Sequence, residues 1–75
     1  MKTSYEYLVR VELLKEAMKA EDVMKYLNGK GFNPVAVSVD NTLGRIMAYF
    51  GSPLSDEEKK RLDEAMSKYV KSLKG

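Results

Sequence analysis

Residues 35–50, Val-Ala-Val-Ser-Val-Asp-Asn-Thr-Leu-Gly-Arg-Ile-Met-Ala-Tyr-Phe, decide the fold of this 75-residue chain. Val35, Val37 and Val39 recur at the two-residue period of a strand, on one face of it. Asp40-Asn41-Thr42-Leu43-Gly44 is rich in turn formers, and Gly44 suits a positive φ at a bulge. Arg45 to Phe50 then returns as a further strand, and a loop so short makes the two an antiparallel hairpin. With Ile46, Ala48 and Phe50 inward, Arg45, Met47 and Tyr49 point outward.

N-terminal to the hairpin, Asn33-Pro34 opens its first strand, and a helix is expected before it over Glu16–Asn28. Ala17, Ala20, Val23, Met24 and Leu27 carry the helical spacing. No Ser, Thr or Asn caps its start, so it begins at Glu16 or only near Ala20. Asn28-Gly29 supplies a left-handed stop, with Lys25 and Lys30 near the negative end of the helix dipole. Earlier still, Ser4–Leu13 alternates. Tyr5, Tyr7, Val9, Val11 and Leu13 take one face, and Glu6, Leu8, Arg10 and Glu12 take the other. β-branched and aromatic residues at period two mark a half-buried strand.

C-terminal to the hairpin, Gly51-Ser52-Pro53 breaks the chain. Ser55 is an N-cap and Glu58, three residues on, completes a capping box. Asp56, Glu57 and Glu58 crowd the positive end of the dipole, while Lys68, Lys71 and Lys74 lie toward its negative end. Leu62, Ala65, Met66, Tyr69, Val70 and Leu73 form one apolar stripe. Glu57–Arg61 and Glu64–Lys68 are spaced for i,i+4 support.

Three strands and two amphipathic helices predict a single α+β domain over residues 1–75. It is a two-layer β-α-β-β-α sandwich with both helices on one face of the sheet. The first strand lies beside the third (order 1-3-2) or beside the second (order 1-2-3); the former is favoured. The element order resembles the start of the ferredoxin-like βαββαβ fold, without its last strand. In either order the first strand is terminal.

Composition narrows the function. The chain has no cysteine and no histidine, so disulfides and the usual zinc, copper and haem ligands are excluded. No Asp-x-Asp-x-Asp-Gly calcium loop occurs, and neither a metal nor a cofactor is expected. A domain this small has a modest core, and self-association is the remaining reinforcement. Thirteen Lys and Arg stand against eleven Asp and Glu, a net charge of +2 with the signs interspersed. That is far from the basic footprint of a duplex-binding protein. Met1-Lys2 is not followed by a long apolar run, so neither a leader nor a membrane span is expected, and a cytoplasmic location follows as the default.

Catalysis has little foothold. Any nucleophile must be Ser, Thr, Tyr or Lys; the carboxylate-bearing pairs Asp40–Asn41 and Glu12–Glu16 read as turn chemistry and solvated charge. Gly29-Lys30-Gly31 follows a helix, whereas phosphate-binding loops follow a strand, so a helix stop explains it better. Lys59-Lys60-Arg61 directly follows three carboxylates and reads as a solvated helix face.

A small non-enzymatic protein-interaction module is therefore expected: a regulator, adaptor or inhibitor of a larger protein. Tyr5, Tyr7, Leu8, Arg10 and Glu12 along the first strand, with Met47 and Tyr49 on the open sheet face, are the partner-binding candidates. An exposed first strand contains no proline to discourage pairing. Two copies antiparallel and centred on Leu8 would place Glu6 opposite Arg10 of the partner, Tyr7 opposite Val9 and Tyr5 opposite Val11, giving a homodimer. An ordinary edge protected by Glu6, Arg10 and Glu12, or a heterologous partner strand, are the alternatives. Weak binding of single-stranded nucleic acid through Arg10, Arg45 and Tyr49 is the runner-up, although the sheet lacks the several aromatics and the signature of an RRM.

Overall fold

A computed structural model describes residues 3–74; Met1 and Lys2, on which the expectation of no leader partly rests, lie outside them with Gly75. The elements run β1 (Thr3–Leu8), a 3-10 turn (Val11–Leu13), α1 (Ala20–Gly29), β2 (Ala36–Asp40), β3 (Arg45–Phe50) and α2 (Asp56–Leu73). The sheet is antiparallel with order β1-β3-β2. That settles the choice between the two expected orders, and β1 is terminal.

The hairpin forms because its turn is closed from within. Asp40 accepts hydrogen bonds from the backbone N–H groups of Thr42 and Leu43, both at 2.9 Å. Gly44 takes φ 75°, and its N–H reaches the Asp40 carbonyl at 2.9 Å. A Cβ at Gly44 would stand 2.1 Å from the Val9 carbonyl oxygen. Only glycine permits this turn to close against the end of β1.

The first strand is shorter than its alternation implies. It ends at Leu8, not Leu13, because Leu8 lies opposite Arg45, the first residue of β3. One further bond, Val9 N–H to the Gly44 carbonyl at 2.7 Å, uses up the partner strand. Beyond it the chain turns through Val11–Leu13 and forms a single antiparallel bridge, Leu14 with Lys74. Tyr5 is buried, Tyr7, Val9 and Val11 are half-buried, and Leu13 is exposed.

The first helix starts at Ala20, the later of the two starts expected. Asn41 explains why. Its Oδ1 accepts the Met18 N–H at 2.8 Å and its Nδ2 donates to the Met18 carbonyl at 2.9 Å. Both backbone groups of Met18 are thereby held outside a helix, and its side chain is driven into the core at 2% exposure. The left-handed stop is Gly31 (φ 91°), not Gly29, which remains helical. β2 begins one residue later than expected, leaving Val35 exposed.

α2 matches its expectation closely. Ser55 Oγ accepts the Glu58 N–H at 3.1 Å while Glu58 accepts the Ser55 N–H at 3.0 Å, a reciprocal cap. These bonds hold the Glu58 carboxyl below its ordinary pKa. Leu62, Ala65, Met66, Tyr69 and Val70 are buried and Leu73 is half-buried. Leu62, Met66, Tyr69 and Val70, with Leu73 against them, meet Val23 and Leu27 of α1 and Tyr5, Ile46, Ala48 and Phe50 of the sheet in one core. Each fully buried side chain of the size of Leu62 or Met66 contributes about 2 kcal/mol of transfer free energy, before entropy. Among the described residues, neither Glu57–Arg61 nor Glu64–Lys68 closes as an ion pair; the i,i+4 pair that forms is Glu21–Lys25, at 3.3 Å.

Candidate functional site

The site is built from backbone. In an antiparallel ladder each residue aims both its N–H and its C=O either at the partner or away from it, alternately. Val9 aims its N–H at β3. Tyr7, Tyr5 and Thr3 therefore face β3, and Ser4, Glu6 and Leu8 direct their backbone groups outward, along the open edge. The same three residues carry side chains on the face away from the helices, because Tyr5 is buried on the other.

Around that edge, Leu8 is 69% exposed. Glu6 Oε2 lies 3.6 Å from an Arg45 guanidinium nitrogen on β3. Arg10 Nε donates to Glu12 Oε1 at 3.0 Å within the segment that leaves the strand. Glu12's own backbone N–H, and then Arg10, hold the Glu12 carboxyl below its usual range. Arg10 is still extended (φ −86°, ψ 95°), so the edge continues to it and stops at the 3-10 turn. Val11 is not in register to oppose Tyr5 of another copy, which removes that contact from the Leu8-centred pairing.

The tyrosines serve the core. Tyr5 is 8% exposed and its hydroxyl donates to Asp63 on α2. Burial, reinforced by that carboxylate, pushes the Tyr5 hydroxyl far above its ordinary pKa. Tyr7 is half-buried and packs against the same core.

Met47 and Tyr49 are half-buried on the open face, Met47 between Glu6 and Ser38, Tyr49 between Ser4 and Ala36. Arg45 stands four positions from Tyr49, about 13 Å along the strand, and Arg10 lies beyond the sheet altogether. The three residues singled out for nucleic acid are therefore not one cluster, and both arginines already hold a carboxylate.

Asp40 and Asn41 are engaged in the turn and in holding Met18, and the two N–H bonds from Leu43 and Thr42 lower the Asp40 pKa. Among the described residues no three carboxylates gather as a metal site, and no helix is long and apolar enough to cross a membrane. Sequence reasoning missed three exposed apolar residues, Leu13, Val35 and Leu43. Leu43 sits in a run of turn formers, which was the available signal.

Comparison with protein-family models, curated proteins and solved structures finds no match to this chain. The α+β sandwich with its open β1 edge thus carries the functional reading by itself.

Proposed function

We propose that this protein is a small non-enzymatic interaction module that assembles through the outer edge of β1. Its first partner is a second copy of itself, and the dimer serves as a regulator, adaptor or inhibitor of a larger protein, in the cytoplasm. One observation carries the reading: Ser4, Glu6 and Leu8 turn outward backbone groups that have no partner among the described residues, beside an exposed leucine, on a strand with no proline. In a ferredoxin-like order the strand following α2 would lie beside β1. The partner's strand takes that position beside β1.

A pairing centred on Leu8 runs from Glu6 to Arg10. It sets Glu6 against the partner's Arg10 at the cost of two exposed intrachain pairs, Glu6–Arg45 and Arg10–Glu12. Exposed pairs of this kind are each worth about 0–1 kcal/mol, so exchanging them is nearly neutral. The test is Leu8→Lys. Its circular dichroism should match the wild type while sedimentation shows only monomer; a variant that associates as the wild type does would refute the proposal.

A further inference from the structure

Two adjoining cavities, about 270 and 190 Å³, lie away from the β1 edge and share Lys30, Phe32 and Arg61 as walls. The larger is framed by the loop after α1, the Gly51–Leu54 connection and the first turns of α2. Gly31, at φ 91°, turns the chain after α1, and Phe32 N–H returns to the Leu27 carbonyl at 3.0 Å. This bend brings Lys30 and Phe32 against α2.

Each of the two cations lies over an aromatic ring. Arg61 Cζ lies 5.9 Å from the centre of the Phe32 ring, and Lys30 Nζ lies 5.5 Å from that of Tyr26. Among the described residues neither has a carboxylate oxygen within 4.0 Å, unlike Arg10, Lys25 and Arg45. Asn33 and Ser52 line the same cavity, and their side chains have no hydrogen-bond partner among the described residues. Two carboxylates are nearby. Glu58 lines the larger cavity, where it closes the cap with Ser55 and also feels the charge of Arg61, and Glu64 lines the smaller one together with Lys68.

We infer that this cleft binds a small soluble phosphate ester, with Lys30 and Arg61 sharing the phosphate and Asn33 and Ser52 supplying neutral hydrogen bonds. A phosphate carries about −1.5 to −2 charges at neutral pH and matches a guanidinium fork bidentately. A carboxylate carries only one charge and offers fewer acceptor atoms than the three terminal oxygens of a phosphate ester. The volume falls near the lower end of small-molecule sites, which run from about 300 Å³ upward, and suits a compact ligand. The inference does not depend on the dimer: the cleft is formed within one chain.

The experiment is a ¹H–¹⁵N titration of the intact protein with inorganic pyrophosphate, against sodium chloride at equal ionic strength. Saturable shifts are expected at the amides of Lys30, Gly31, Phe32, Asn33, Ser52 and Arg61. Arg61→Gln and Lys30→Gln should each weaken binding by about tenfold. Both side chains are exposed, so the variants should keep the wild-type spectrum elsewhere. Lys15→Gln, on another part of the surface, should bind as the wild type does. Shifts that do not saturate, that chloride reproduces, or that both cleft variants retain would overturn the inference.

Discussion

The Tyr5 hydroxyl, on the terminal strand, donates a hydrogen bond to Asp63 on α2, 58 residues later in the chain. It ties the edge strand to the long helix, so β1 is anchored from below while its outer edge remains open. An edge fixed in this way presents its unpaired groups in one geometry, which lowers the entropy lost on pairing.

Tyr5→Phe should lower stability by about 1 kcal/mol near neutral pH, the net worth of a hydrogen bond to a charged group in a partly wet setting. The sign changes in alkali. The folded-state pKa of Tyr5 is raised well above the ordinary tyrosine value of 10.0, so the folded state keeps the proton that the unfolded chain releases. Its contribution is fully present below pH 10 and declines as pH rises beyond that. Tyr69, raised chiefly by burial and then by Asp22 and Glu16, acts in the same direction. Urea unfolding of both proteins across this range should show the wild type's advantage shrinking and then reversing above pH 10. A pH-independent difference would show that the Tyr5 hydroxyl is not buried against Asp63.

Asn41 should prove structural. Replacing it with Ala strips both partners from the Met18 backbone and should cost about 1–2 kcal/mol, with faster hydrogen exchange at the Met18 amide. Asn41→Asp keeps the acceptor but loses the donor, and sets a carboxylate near the Met18 carbonyl. It should not restore stability. Wild-type exchange at Met18 in Asn41→Ala would refute this account of where α1 begins.

Proline substitutions read the direction of each backbone amide along β1. Glu6→Pro removes an outward N–H that has no partner among the described residues, so the fold should persist and self-association should weaken at least about tenfold. Tyr7→Pro removes an inward N–H paired with β3 opposite Ile46 and should cost about 3 kcal/mol or more of stability. Calorimetry and sedimentation on the two variants separate the roles. Equal destabilisation by both would show that the alternation is assigned the wrong way round.

The parts of the fold read most easily from sequence were those with local causes. Ser55 and Glu58 cap α2 through neighbours three residues apart, and the period-two pattern of Ile46, Ala48 and Phe50 needs only one buried face. The end of β1 was less visible. Val9, Val11 and Leu13 continue the alternation, but a strand lasts only as far as its partner, and β3 begins at Arg45. The late start of α1 likewise depends on Asn41, far along the chain, which read simply as a turn former. At the candidate site the terminal position of β1 was legible from element order. The outward set Ser4, Glu6 and Leu8 was not, because alternation of side chains says nothing of which amides a neighbouring strand consumes.

Hydrogen exchange at the β1 amides as a function of protein concentration tests the edge itself. In dilute solution Tyr5 and Tyr7 should be protected and Glu6 and Leu8 should exchange freely. As concentration rises, Glu6, Leu8 and Arg10 should slow together while Ser4, outside the Leu8-centred pairing, stays fast. Exchange at Glu6 and Leu8 that is unchanged up to high micromolar protein would contradict assembly through β1.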